Sequence, residues 1–208
     1  MPTISLHAQN LTKAFSHRNI FAKINFSIQQ SQTLAITGRN GSGKSTLIKI
    51  LAGVLSATSG SVKLSYDGED VANEDMYRHI GLVSPYLQLY DEFTAAENLT
   101  FFRELRRIKN ADIDGLLQRV GLFARRNDAV RTYSSGMKQR LKYVFALLHQ
   151  PPILFLDEPT ANLDTEGIRF VYDIIDEYKK GSIVIVASNV REETELCSEI
   201  INLNDHVL

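Results

Sequence analysis

Gly38-Arg39-Asn40-Gly41-Ser42-Gly43-Lys44-Ser45 decides the reading of this chain. An apolar run, 34–37, leads into it, and a helical pattern over 44–52, closed by Gly53, leads out. A strand, a glycine-rich loop and a helix in that order make a cradle for phosphate. The glycines let backbone N–H groups converge on one anion, and the helix N-terminus adds its partial positive charge. Lys44 brings a mobile ammonium to the outer phosphates, and the Ser45 hydroxyl is placed to ligate Mg²⁺. The expected nucleotide contacts are Gly38, Arg39, Asn40, Gly41, Ser42, Gly43, Lys44, Ser45 and Thr46.

Outward from this loop the chain divides into three textures. Residues 1 to about 85 read as short strands (4–7, 23–28, 33–37, 61–66) interrupted by the helix at 44–52. From about 86 to 150 the pattern is helical, with apolar residues three and four apart over 95–108, 113–120 and 136–149. The last of these sets Met137, Leu141, Val144, Phe145 and Leu148 on one face. Beyond residue 152, apolar strands (153–157, 182–187, 200–203) alternate with a helix over 165–180, which predicts a parallel sheet covered on both faces. The 208 residues suit one α/β domain with the helical middle inserted in it. Lys plus Arg number 23 and Asp plus Glu 24, a net charge of −1 that provides no general field for nucleic acid. The single cysteine, Cys197, excludes an internal disulfide framework and fits a reducing compartment, as a small buried residue on a short helix. No stretch approaches the ~20 apolar residues that cross a bilayer, and residues 1–8 do not read as a secretion signal. Any membrane work is expected to go through a partner.

A second acidic element joins the phosphate loop. Ile153 to Leu156 is continuously apolar and ends in Asp157-Glu158, which places two carboxylates at the carboxyl edge of the sheet, where open α/β sheets bind ligands. Asp157 would hold Mg²⁺ through water, and Glu158, pointing the other way, would polarise an attacking water. Asp164 has a plainer reading as the cap of the following helix.

Tyr133-Ser134-Ser135-Gly136-Met137-Lys138-Gln139-Arg140 and Asp157-Glu158-Pro159-Thr160-Ala161-Asn162-Leu163-Asp164 together resemble the signature motif and the joined Walker B and D-loop of ABC ATPases. The resemblance covers essentially the whole chain. It implies a single P-loop nucleotide hydrolase domain over 1–208, with a parallel sheet core, an N-terminal antiparallel β subdomain and a helical subdomain inserted at about 86–150. It implies ATP and Mg²⁺ as ligands. It also implies that Ser134, Ser135, Gly136 and Met137 act on the nucleotide of a second ATPase subunit, most simply in a homodimer. The same resemblance makes Asp164 the D-loop acid, Phe15 the aromatic that stacks on adenine, and 89–99 the stretch facing an integral membrane subunit.

Two switch positions depart from the family pattern. Pro85 stands at the usual Q-loop glutamine and offers no side-chain ligand, so Gln88 becomes the candidate to reach the metal. Asn189 stands at the usual histidine, where it can donate a hydrogen bond but never become cationic. His7, His17, His79, His149 and His206 lie elsewhere in sequence and read as ordinary surface or core residues. The expected function is the ATP-hydrolysing subunit of a membrane transporter, peripheral on the cytoplasmic face, turning over slowly in isolation through Glu158 and Asn189. Its short length resembles exporter ATPase subunits, among them the haem-exporter ATPase of cytochrome c maturation. A soluble non-transport ABC ATPase and a weakly hydrolysing regulatory subunit are the alternatives.

Overall fold

The computed structural model describes residues 3–16 and 18–206, and His17 lies outside them. Alternation of Ile4, Leu6 and Ala8 with polar neighbours makes β1 (Ile4–Phe15), which pairs antiparallel with β2 (Arg18–Gln29) and β4 (Ser59–Tyr66). With β5 (Glu69–Val71) these form a sheet of order β2-β1-β4-β5. β1 and β2 run twelve residues each, well past the expected 4–7 and 23–28. The extension is masked in sequence because the ladder is bulged between Ala8 and Leu11. Asn10 adopts φ 49 there, and its N–H donates to Asn25 Oδ1 at 2.8 Å instead of to the ladder.

β3 (Thr33–Thr37), β6 (Ile80–Val83), β7 (Ile153–Asp157), β8 (Ile183–Ala187) and β9 (Glu199–Asn202) form a second sheet, all parallel, of order β6-β7-β8-β3-β9. Every residue of β7 and β8 is buried, because both faces are covered. Ile153, Phe155, Ile183 and Ile185 face α1 (Lys44–Leu51) and the antiparallel sheet. Leu154, Leu156, Val184 and Val186 face α5 (Thr165–Tyr178). Truncating Phe155 to Ala would cost about 3–5 kcal/mol.

The helical middle holds α2 (Ala95–Leu105), α3 (Ile113–Arg119) and α4 (Ser135–Leu147). Thr94 and Glu97 start α2 with a reciprocal capping box. It stops before the expected residue 108, since Arg107 turns left-handed at φ 54. α4 has two apolar faces where the sequence showed one. Leu141, Val144 and Phe145 pack with Leu99 and Leu117, while Tyr143, Ala146 and Leu147 pack on β7 and α5. It is therefore the shared wall between the helical middle and the parallel sheet. Cys197 lies past α6 (Arg191–Thr194), not on it, and burial pushes its thiol up to about 11. No helix among the described residues is long and apolar enough to cross a membrane.

Candidate nucleotide site

Strand register brings the site together. Val83 pairs with Leu156, Asp157 with Ala187, and Ala187 with Ile36, so β6, β7, β8 and β3 end level with one another. The residues just past those ends are Ser84, Glu158, Ser188-Asn189 and Gly38, and they share the carboxyl edge of the sheet.

The phosphate loop takes the shape its glycines permit. Gly41 and Gly43 hold φ 80 and φ 102, and a Cβ on Gly43 would clash with Ile20 Cγ2. Lys44 is 7% exposed and donates to the Gly38 carbonyl at 2.8 Å. Burial lowers its pKa, against the opposing fields of Glu158 and Asp157. Ser42 Oγ is buried inside the loop with no hydrogen-bond partner among the described residues. An orphaned hydroxyl in a cradle of N–H groups is what a missing phosphate oxygen would leave behind.

Asp157 is 1% exposed and accepts from Ser45 Oγ at 3.0 Å and from Ser84 Oγ at 3.4 Å. Burial raises its pKa, the Ser45 hydrogen bond pulls it back, and the Glu158 charge raises it further. Ser45 and Asp157 are hard oxygen donors of the kind Mg²⁺ takes beside phosphates and water, so the pair fits that ion. Glu158 breaks from the strand with φ 51 and is exposed. Its side chain borders a pocket of about 240 Å³ that Lys44, Ser45, Thr46, Asn40, Gly41 and Tyr86 also line. The phosphate loop, Ser45 of the metal pair and the candidate base therefore line one space, and Asp157 is tied to it by the hydrogen bond it accepts from Ser45.

A second cleft, of about 540 Å³, opens from the other side of the loop and is lined by Arg18, Asn19, Ile20, Arg39, Asn40, Gly41, Ser42 and Asn204. Phe15 is not in its wall. The residue pairs with Arg18 where β1 meets β2, is 47% exposed, and carries the Lys13 ammonium 4.6 Å from its ring centroid. Asn189 does reach the loop, donating to Asn40 Oδ1 at 3.0 Å. Gln88 does not: it is exposed and lines neither space. The tight turn begun by Ser84 and Pro85 instead turns Tyr86 to the phosphate pocket and carries Gln88 past it.

The signature residues stand apart from both spaces. Ser134 caps α4 by accepting from the Met137 N–H at 3.2 Å, and Ser134 and Ser135 are exposed. Gly136 packs near the Asn162 carbonyl, and Met137 Sδ accepts from Arg125. Asp164 takes its plainer role as the cap of α5, accepting from the Gly167 N–H at 2.9 Å. α4 is tied to the segment after Glu158, since Gln139 and Tyr143 both donate to the Pro159 carbonyl.

Ser84, Tyr86, Ile20 and Asn204 belong to the site and were missed in sequence. Ser84 was within reach, because it follows an apolar strand as Asp157 ends one, and level strands bring such ends together. Asn204, whose Oδ1 accepts from the Arg39 N–H at 3.3 Å, carried no such signal.

Residues 21–161, more than half of the chain, match the family described as ABC transporter. YdbJ of Bacillus subtilis, an uncharacterized ABC transporter ATP-binding protein, is 36% identical over 94% of this chain, which spans 65% of YdbJ's length. The lantibiotic transport ATP-binding protein SrtF of Streptococcus pyogenes is 35% identical over 94% of this chain and 85% of its own. A solved ATP-binding subunit of an ABC transporter superposes with a TM-score of 0.83 at 26% identity, over 95% of this chain and 85% of that one. The phosphate loop, the acidic strand end and these likenesses agree, and the chain belongs to the ABC ATPase family of transporter ATP-binding proteins.

Proposed function

We propose that this chain binds and hydrolyses MgATP as the ATP-binding subunit of an ABC transporter. It would close on a second copy of itself and drive a separate integral membrane subunit from the cytoplasmic face. The observation that carries the reading is the convergence of Lys44, Ser45 and Glu158 on one space, with Asp157 accepting from Ser45 and the orphaned Ser42 hydroxyl in the same loop. Lys44 would leave the Gly38 carbonyl for the outer phosphates, Ser45 and Asp157 would hold the metal, and Glu158 would accept a proton from the attacking water. Mg²⁺, when bound, neutralises charge on the phosphate oxygens. Ser134, Ser135 and Gly136 supply a helix N-terminus to the nucleotide of the partner copy. The transport names of SrtF and YdbJ support the membrane role. Asn189 contributes a neutral donor beside the loop, which favours slow turnover in isolation.

Light scattering of wild type and Glu158→Gln with Mg-ATP tests the reading. Glu158→Gln should dimerise with ATP and stay dimeric, because its amide cannot accept the proton. A Glu158→Gln chain that binds ATP yet remains monomeric, alone and with its membrane partner, would count against it.

A further inference from the structure

Pro85 has no hydrogen-bonding side chain, and Gln88 is exposed and lines neither space. Tyr86, between them, borders the same pocket as Lys44, Ser45 and Glu158. The turn that carries it is fixed at several points. The Tyr86 N–H donates to Ser84 Oγ at 3.3 Å, and Ser84 Oγ lies 3.4 Å from Asp157 Oδ2. The Leu87 N–H closes the turn on the Ser84 carbonyl at 3.1 Å. Lys142, from the signature helix α4, donates to the carbonyls of both Ser84 and Pro85 at 3.1 Å. No carboxylate pairs with Lys142 among the described residues, so its ammonium serves the turn alone. Lys49, one helical turn beyond Ser45, places its ammonium 3.8 Å from the Tyr86 ring centroid. The ring is 65% exposed yet held against the pocket by this cation.

We infer that Tyr86 contacts the nucleotide, its phenolic hydroxyl donating to an oxygen of the γ-phosphate, and that Lys142 is the positioning residue that presents it. A phenol is a donor that adds no charge beside Glu158, and Tyr86 shares its wall with Lys44 and Glu158, the residues that the ATPase reading assigns to the terminal phosphate. The inference rests on the ATPase reading above. It also gives the signature helix a direct grip on the pocket of its own chain, through Lys142 and the Ser84–Pro85 carbonyls.

The test compares affinities for ADP and for a non-hydrolysable β,γ-imido ATP by calorimetry, together with phosphate release. Tyr86→Phe should leave ADP affinity within about twofold and lower the analogue-to-ADP affinity ratio by roughly tenfold, the loss of one charge-assisted hydrogen bond. The rate constant for phosphate release should fall with it. Lys142→Met should lower the same ratio, and Lys142→Arg, which keeps the donors, should restore it. Equal ratios in wild type and Tyr86→Phe would overturn the contact and leave the ATPase reading standing. A parallel loss of ADP affinity would overturn it too, since ADP has no γ-phosphate. A Lys142→Met chain with the wild-type ratio would remove the positioning role. Wild type that binds neither nucleotide would sink both readings.

Discussion

Two helix N-termini in this molecule offer donors to an anion, and they are built in opposite ways. At α1 the chain encloses the space. Gly43 is left-handed, Lys44 is buried, Ser45 rests on Asp157, and Glu158 and Tyr86 border the outer side. At α4 there is no enclosure: Ser134 and Ser135 face solvent, and the Ser134 hydroxyl is occupied in capping its own helix. The first encloses a space on a single chain, whereas the second, on the function proposed above, would be half of a site. A bare N-terminus in water gains little from an anion, because water screens the dipole within a turn. Only a wall supplied from elsewhere makes it a strong donor, which is the part the proposed second copy plays.

The largest effect expected concerns the enclosed site. Glu158→Gln should cut phosphate release by about 10²–10⁴, the usual weight of a positioned base, while nucleotide binding persists. A rate equal to wild type would dissolve the difference between the two termini as catalytic and auxiliary. Next, Lys44→Ala should weaken ATP by roughly tenfold or more in calorimetry, since a charge-assisted contact contributes ~1.5–3 kcal/mol. The comparison sharpens when Lys44→Ala chains are mixed with Ser134→Arg chains. Each alone should be inactive, and the mixture should recover phosphate release, because one composite site then has both halves intact. No recovery would mean that α4 does not act across copies.

Smaller effects probe the two loops more finely. Ser42→Ala removes a buried hydroxyl that has no partner among the described residues, so the nucleotide-free chain should gain about 1 kcal/mol in thermal or denaturant unfolding. The stabilisation added by ATP should shrink in the same variant, an opposite sign that a mere packing change would not produce. Last, Asn189 is exposed and joined to the loop by one hydrogen bond to Asn40. Asn189→His should raise phosphate release by a few-fold, roughly the worth of one hydrogen bond. Unchanged rates would place position 189 outside the reacting space.

Legibility in the sequence followed the range of the interactions. The phosphate loop and the acidic end of β7 were readable because each is a contiguous stretch whose spacing answers to one local geometry. The fully apolar β7 and β8 were readable for the same reason, since only a doubly covered parallel strand tolerates such a run. The long strands β1 and β2 were not, because a side chain fifteen residues away, Asn25, completes the bulge at Asn10. The second apolar face of α4 was hidden by Gln139 and Tyr143, polar groups that are buried only because the Pro159 carbonyl receives them. Gln88 was the candidate as the nearest glutamine after Pro85, and the turn through Ser84 and Pro85 carries it past the pocket.

By itself the sequence determined that a glycine-rich loop at 38–46 joins a strand to a helix, that two carboxylates follow an apolar strand, and that the chain resembles one ATPase family. Those are properties of short segments, where residue type and spacing already specify the backbone. The tertiary structure alone decided which residues meet there: Ser84 on Asp157, Tyr86 on the phosphate pocket, Asn204 on Arg39, and Lys142 on the turn beneath them. Each of these contacts depends on four parallel strands ending level and on α4 crossing from one core to the other. Register and crossing of that kind come from packing summed over the whole core, which no single stretch of residues encodes.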